Sequence, residues 1–229
     1  MATALRLPEL RTDIEHAIEI VPPRWIDDDE ILELGSRYEM LTIERFADGS
    51  LLVSPLPGWM TSSRNGYLFA QIFAWTQSNA AGLCLGPDGD VVFPDRSLLR
   101  PDATFISRER WKTADRVRTL AHTVPDAVFE LLSKSARIAS TRRKMQTYLR
   151  NGVALAVLID CERRHVYVGR DGEADTRDLG WVDRLDCAPA MPGLVLDLAA
   201  VCAASDVVRE DPGQDDRGGE GTGGHPPQT

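Results

Sequence analysis

Residues 125–160 read PDAVFELLSKSARIASTRRKMQTYLRNGVALAVLID, and this stretch predicts a strand, a helix and a second strand in that order. The runs 127–132 and 153–159 are apolar on both faces, which is typical of strands buried inside a sheet. Asn151 and Gly152 supply a C-terminal stop for the helix between them. A strand, a helix and a strand in succession favour a core in which helices flank a sheet.

The sequence around this unit extends the same pattern. Residues 38–44 and 50–54 are strand-like runs on either side of a turn at Asp48-Gly49, and a helix is predicted from about Ser62 to Ser78. Further short apolar runs predict strands at residues 91–93, 103–106 and 165–168. The order of elements predicts an α/β (α+β) fold built on one mixed central β-sheet flanked by helices.

The chain of 229 residues, 43% hydrophobic and 27% charged, is long enough for one well-buried domain. We expect an N-terminal extension at residues 1–37, a folded domain at residues 38–202 and a disordered, acidic, Gly/Pro-rich tail at residues 203–229. No apolar run reaches membrane-spanning length and the first residues lack the apolar core of a secretory signal, so we expect no membrane association and a cytoplasmic location. The net charge of -9 argues against a protein that coats nucleic acid by charge alone, but not against an enzyme with a local basic groove.

The four cysteines, Cys84, Cys161, Cys187 and Cys202, form no CxxC motif and have no histidine pair nearby. Their spacing gives no support to a zinc site. We therefore expect buried free thiols.

The histidines and the aromatic residues give little support to a catalytic triad or to a surface that stacks on bases. No Ser or Cys stands in a triad pattern with a histidine, so histidine catalysis is not expected. Trp59, Tyr67 and Trp75 could stack on bases, but aromatic residues beside a helix at this spacing are more often part of the core.

One acidic residue lies inside the apolar strand of the quoted stretch. Glu130 stands between Phe129 and Leu131, where a carboxylate is costly to bury unless it is paired, hydrogen-bonded or bound to a cation. No Asp or Glu follows it until Asp160, whereas six Lys and Arg residues do. A carboxylate at a strand end beside this basic segment indicates a site for a metal ion and a phosphodiester.

Asp102, at the start of a predicted strand, and Lys144, in the predicted helix, complete the candidate site. Two carboxylates would supply oxygen ligands to Mg²⁺, which takes only one or two protein carboxylates when it handles phosphates. The metal would lower the pKa of a bound water, and the ammonium of Lys144 would orient the attacking hydroxide or stabilise charge on the phosphorus. Arg137, Arg142 and Arg143 would hold flanking phosphates, although a basic helix face is more often solvated surface.

Two alternatives stay open from the residues alone. Asp126 lies four residues before Glu130, so strand alternation places both on one face and they could form the acidic pair without Asp102. Glu130 could also lie on a solvent face or form an ion pair with Arg142 or Arg143, which would make its role structural.

Several short motifs occur in a fixed order between about Tyr38 and Ala200. They are Glu44 with Gly49 and Ser54-Pro55, Arg64-Asn65 before Trp75, Phe93-Pro94, Arg100-Pro101-Asp102-Ala103, Pro125 through Ser133, Lys144-Met145 with Tyr148, Asn151-Gly152, Leu158-Ile159-Asp160, Pro192-Gly193 and Leu196-Asp197-Leu198. This ordered set resembles the putative restriction endonuclease family, a bacterial family abundant in cyanobacteria that belongs to the PD-(D/E)XK nuclease superfamily.

The resemblance implies a restriction-endonuclease-like core in which Asp102 matches the PD aspartate and Glu130 matches the second acid. Leu132 occupies the place of the superfamily's strand lysine, and Lys144 on the following helix is similar to the lysine that replaces it in this family. Glu44 matches an acid contributed from the first hairpin. Mg²⁺, with Mn²⁺ as an alternative, is the implied cofactor, and DNA is the implied partner.

These expectations combine into a Mg²⁺-dependent endonuclease that hydrolyses DNA phosphodiester bonds through Asp102, Glu130, Lys144 and Glu44. The alternative is a catalytically inactive nuclease-fold protein that binds nucleic acid or a protein partner through the same groove. The oligomeric state stays open, although cutting both strands usually takes two active sites and a twofold homodimer is the commonest oligomer.

Overall fold

Five helices and fourteen strands make up the described part of the chain, residues 14–115, 120–133 and 138–204, in this computed structural model. The helices are α1 (Asp28–Arg37), α2 (Trp59–Ser78), α3 (Arg108–Thr113), α4 (Ile138–Arg150) and α5 (Leu198–Ala203). The strands are β1 (Ile18–Ile20), β2 (Leu41–Arg45), β3 (Leu51–Pro55), β4 (Gly82–Leu85), β5 (Val91–Val92), β6 (Leu98–Leu99), β7 (Ala103–Ser107), β8 (Ala121–His122), β9 (Ala127–Leu131), β10 (Leu155–Asp160), β11 (His165–Arg170), β12 (Arg177–Asp178), β13 (Arg184–Asp186) and β14 (Val195–Asp197).

The predicted strand, helix and strand are β9, α4 and β10. β9 and β10 are parallel neighbours, with Ala127 opposite Leu155 and Leu131 opposite Ile159. Parallel neighbours need a crossover connection, and α4 lies within it. Both strands are buried along their whole length, as their apolar sequence predicts.

The strands form two six-stranded sheets and one two-stranded sheet. The order is β1-β3-β2-β6-β5-β8 in the first sheet, β12-β11-β10-β9-β7-β4 in the second and β13-β14 in the third. Each large sheet is mixed, with one parallel pair: β5 with β8 in the first and β9 with β10 in the second. The predicted mixed sheet flanked by helices is confirmed, but the strands are divided between two such sheets instead of one.

Successive side chains of a strand point to opposite faces of the sheet, so the second sheet has a buried apolar cluster on each face. Val128 and Leu158 of the second sheet share a cluster of buried apolar side chains with Phe46 and Met145, so α4 and residues of the first sheet pack on this face. The other face of the second sheet packs against α2, α5 and the β13-β14 pair. Strands that are covered on both faces hold the acids of the candidate site in a rigid frame.

The N-terminal segment contributes one strand to the first sheet and the helix α1. β1 pairs with β3, with Ile18 opposite Val53. α1 begins with a capping box, in which the Asp27 side chain accepts from the Glu30 backbone and the Glu30 side chain accepts from the Asp27 backbone. Residues 1–13 lie outside the described residues, as does the tail predicted to be disordered, except for Ala203 and Ala204, which belong to the end of α5.

α2 begins earlier than predicted. Its first residue is Trp59, and Ser62 already donates its backbone N–H to the Gly58 carbonyl at 3.0 Å. The N-cap is Gly58, which makes no side-chain capping bond. The true start therefore carries none of the Ser, Thr, Asp or Asn signals from which a helix start is predicted.

The expectation of four free thiols is wrong for two of them. Cys161, directly after β10, forms a disulfide with Cys202 in α5, across a sequence separation of 41. Cys84 and Cys187 are free. The pairing depends on where α5 packs against the sheet, which the cysteine spacing does not reveal.

The expectation that three aromatic side chains are core residues holds for one of them. Trp75 packs on the core, edge-on to Phe105 with ring centroids 5.3 Å apart. Trp59 is 62% exposed and Tyr67 is 47% exposed, so neither is a core residue. No helix of the described residues combines the length and the apolar character that crossing a bilayer would require.

Candidate functional site

A cavity of about 520 Å³ opens between α2, α4 and the strands β2, β3 and β9. Its wall includes all four predicted catalytic residues, Glu44, Asp102, Glu130 and Lys144. These residues come from four separate elements or element ends, so the fold brings distant parts of the sequence to one place.

Strand register explains why the two main acids meet. β7 runs antiparallel to β9, with Ala103 opposite Phe129. Continuing this register by one residue puts Asp102 opposite Glu130, and opposite residues of an antiparallel pair point to the same face. The Leu131 N–H donates to Asp102 Oδ2 at 2.7 Å, which fixes the start of β7 to the end of β9.

Lys144 joins two acids in the wall of the cavity. Its Nζ lies 2.7 Å from Glu130 Oε1 and 2.9 Å from Glu44 Oε1, and it donates to the Arg100 carbonyl at 3.2 Å. All three charged side chains are buried, with 3% to 6% of each residue exposed. Glu44 Oε1 also accepts from the Arg100 N–H at 2.7 Å, so β2 is held against the segment that precedes Asp102.

Two further polar side chains contact the acids, and sequence reasoning did not assign them to the site. The Tyr148 hydroxyl donates to Glu130 Oε1 at 2.6 Å, and Asn65 Nδ2 donates to Asp102 Oδ1 at 2.8 Å. Tyr148 lies one helical turn after Lys144, which places both on the same face of α4 and could have been recognised from the spacing.

Asn65 also had a weak signal in the sequence. The buried positions of α2 are Asn65, Leu68, Ile72 and Thr76, which follow helical spacing. A polar amide at the first position of an otherwise largely apolar stripe indicates a specific contact in the interior.

Burial and neighbouring charges shift the ionisation of the site. Burial raises the pKa of Glu130 to about 7, because the attraction of Lys144 only partly offsets it and Asp102 and Glu44 add repulsion. Burial also raises the pKa of Asp102, although the hydrogen bonds from Leu131 and Asn65 act in the opposite direction. Burial alone would lower the pKa of Lys144, but Glu130 and Glu44 raise it above its usual value. At neutral pH the site thus holds a charged ammonium next to a carboxyl whose pKa lies well above its usual value.

The alternative acidic pair is not formed. Asp126, at the other end of β9, accepts from the Ser107 N–H at 2.5 Å and pairs with Arg110 at 3.2 Å. Its side chain therefore belongs to a separate contact between α3 and the start of β9. The alternative ion pair of Glu130 with Arg142 or Arg143 is not formed either, since Lys144 takes that place.

Two of the three predicted phosphate-binding arginines, Arg142 and Arg143, are not among the described residues that line the cavity. Arg143 contacts Glu19, Asp48 and Ser50, with its guanidinium 3.8 Å from the ring centre of Phe46. Arg142 is exposed beside the Tyr167 ring, at 5.8 Å from the ring centre. Arg137 lies outside the described residues. A role of these arginines in phosphate binding stays a prediction.

A solved structure has a similar fold. It is described as a "putative nuclease belonging to DUF820" from Anabaena variabilis, and it matches with a TM-score of 0.63 and 17% sequence identity over 72% of this chain and 91% of that chain. At this identity the likeness shows the fold. No match was found among curated proteins. The family model described as "Putative restriction endonuclease" (Uma2) matches residues 27–199, well over half of the chain, and the chain therefore belongs to this family.

Proposed function

We propose that this protein is a Mg²⁺-dependent endonuclease that hydrolyses DNA phosphodiester bonds, with Asp102 and Glu130 as metal ligands, Lys144 as the charge-stabilising group and Glu44 as an auxiliary acid. The observation that carries the proposal is the convergence of two strand-end carboxylates and one lysine on a single cavity. The DNA substrate is inferred from the description of the family.

The donor set of the cavity suits a hard divalent cation. Among the described lining residues there are four carboxylates, Glu44, Asp88, Asp102 and Glu130, and two basic side chains, Arg100 and Lys144. Arg100 is engaged by Asp90, with two nitrogen to oxygen distances of 2.7 Å. The excess of carboxylates supports a divalent cation of the Mg²⁺ or Mn²⁺ type, which prefers oxygen ligands and retains several waters.

Each side chain of the proposed site has a distinct task. Bound Mg²⁺ would supply an activated water and neutralise charge on the phosphate. Asp102, held at both carboxylate oxygens, would present a fixed ligand. Glu130 must be ionised to act as a ligand, and the Tyr148 hydroxyl and the Lys144 ammonium donate to its Oε1. The Lys144 ammonium would orient the attacking hydroxide or stabilise the negative charge that develops on the phosphate oxygens.

Nicking of supercoiled plasmid tests the proposal directly. Wild-type protein is expected to cut in the presence of Mg²⁺ and to stop when EDTA is added. Glu130→Ala and Lys144→Ala are expected to abolish cutting, whereas Asp126→Asn, immediately before the strand of Glu130 and outside the cavity wall, is expected to retain it. A folded wild-type protein that cuts none of the nucleic acids offered, with either Mg²⁺ or Mn²⁺, contradicts the proposal.

A catalytically inactive nuclease-fold protein that binds nucleic acid or a protein partner is the second candidate, and two observations favour it. The Lys144 ammonium occupies the space between Glu130 and Glu44, and residues 14–115, 120–133 and 138–204 contain no group of three His, Cys, Asp or Glu side chains arranged to hold a metal ion. Thermal unfolding during Mg²⁺ titration separates the candidates. The inactive protein should show no shift of the unfolding midpoint, whereas a metal-binding nuclease should be stabilised.

A further inference from the structure

The Asp102 carboxylate is held at both of its oxygen atoms. The Leu131 N–H donates to Oδ2 at 2.7 Å, and this donor belongs to the backbone of β9. The Asn65 amide donates to Oδ1 at 2.8 Å from α2, on the other side of the cavity. With one donor on each oxygen, rotation of the carboxylate about its side-chain bonds would break at least one hydrogen bond.

The oxygen of the Asn65 amide, unlike its nitrogen, has no hydrogen-bond partner among the described residues. Asn65 is 3% exposed, and its Oδ1 is buried and accepts no hydrogen bond from the described residues. A buried oxygen without a donor is unfavourable for stability. Packing does not explain the amide either, since the stripe of α2 continues with Leu68 and Ile72 and would accommodate an apolar side chain of similar size.

We infer that Asn65 is a positioning residue for Asp102, which holds this carboxylate in the orientation in which it binds the divalent cation. The inference rests on the proposed function. The contact with Asp102 accounts for a buried amide whose own oxygen has no donor among the described residues. Loss of a hydrogen-bond partner that orients a metal ligand typically weakens metal affinity by about 10-fold to 100-fold.

Calorimetric titration of the DNA-free, full-length protein with MnCl₂ tests the inference without reference to activity. Asn65→Leu keeps the approximate size of the side chain and removes both the donor and the buried oxygen. We expect about 10-fold to 100-fold weaker Mn²⁺ affinity, while the variant still unfolds cooperatively in EDTA at a midpoint lowered by no more than the loss of one hydrogen bond to Asp102. Asn65→Ala, which removes the amide without adding branched carbons, is expected to weaken the affinity in the same way.

Thr76→Val is the matched control. Thr76 is buried in the same stripe of α2, but its hydroxyl donates to the Ile72 carbonyl within the helix and the residue does not line the cavity. This variant is expected to bind Mn²⁺ as the wild type does. Asn65→Leu with wild-type Mn²⁺ affinity overturns the inference alone, as does a fall in affinity that is matched by Thr76→Val. A wild-type protein that binds neither Mn²⁺ nor Mg²⁺ overturns the proposed metal site and this inference with it.

Discussion

Glu130 gives the site a predictable pH dependence at the scale of a single residue. Its pKa in the folded protein is raised to about 7 by burial, from the usual 4.5. Without divalent cations the folded protein binds more protons than the unfolded chain between these values, so the free energy of unfolding falls as pH rises through this window. The difference corresponds to a loss on the order of 3 kcal/mol.

In the variant Glu130→Gln the side chain cannot ionise, so the free energy of unfolding should not fall with rising pH in this way. Relative to the wild type, the variant is expected to gain stability between about pH 4 and about pH 8 by an amount on the order of 3 kcal/mol. Urea denaturation in EDTA at several pH values measures the difference, with the wild type as the reference at each pH. A difference between the two proteins that is the same at every pH would contradict the raised pKa.

The ammonium of Lys144 compensates the negative charge of the two buried carboxylates that it contacts. Lys144→Met would leave Glu44 and Glu130 facing each other without a cation in the wall of the cavity. Removing one partner of a buried ion pair typically destabilises a protein by about 3–5 kcal/mol, and we expect a loss of this size near pH 8. The double variant Lys144→Met with Glu130→Gln should lose less than the single variant, because one of the uncompensated carboxylates is gone. Equal losses in the two variants would show that Lys144 acts through packing and not through charge.

That Asp102, Glu130 and Lys144 lie together was expected from the sequence, but their individual contacts were not. An acid inside an apolar strand and a lysine on the next helix are local patterns. The 2.9 Å contact of Lys144 with Glu44 joins residues 100 positions apart, and the position of Asp102 opposite Glu130 depends on the register of β7 against β9. Both contacts depend on tertiary packing, which cannot be predicted from local patterns in a single sequence.

Among the elements, β9, α4 and β10 were the most predictable because strong local signals define them. Two apolar runs and the Asn151-Gly152 stop delimit this unit, and the structure follows them. The start of α2 was missed because Gly58 provides no side-chain cap. The division of strands between two sheets was missed because it depends on which distant strands pair, for example β2 with β6 at Arg45 and Leu98 only, and such pairing leaves no pattern in the sequence.

The disulfide fixes α5 to the end of β10, and its contribution to stability can be measured. Cys161 and Cys202 close a loop with a sequence separation of 41, for which the chain-entropy model gives a stabilisation of about 4 kcal/mol. Reduction with dithiothreitol is expected to lower the free energy of unfolding of the wild type by up to this amount. The variant with Cys161→Ser and Cys202→Ser should show the loss without reductant and no further change with it. If the reductant destabilises that variant equally, the effect does not come from this disulfide.

At the scale of the whole molecule, the negative charge of the protein opposes the binding of DNA, which is also negatively charged. The chain carries a net charge of -9, and carboxylates outnumber basic side chains in the wall of the cavity. A DNA phosphate entering the metal-free cavity would meet like charge, so a bound divalent cation should be needed to make the approach favourable.

We therefore expect DNA binding to be at least about tenfold weaker in EDTA than in Ca²⁺, a difference of about 1.4 kcal/mol. Fluorescence anisotropy with a labelled duplex measures this, with NaCl added to the EDTA sample so that both samples have the same ionic strength. Asp102→Asn, which removes one proposed ligand charge, should reduce the gain from Ca²⁺. Equal binding with and without the cation would place the DNA contacts elsewhere, on exposed groups such as Arg142, and would favour a protein that binds nucleic acid without cutting it.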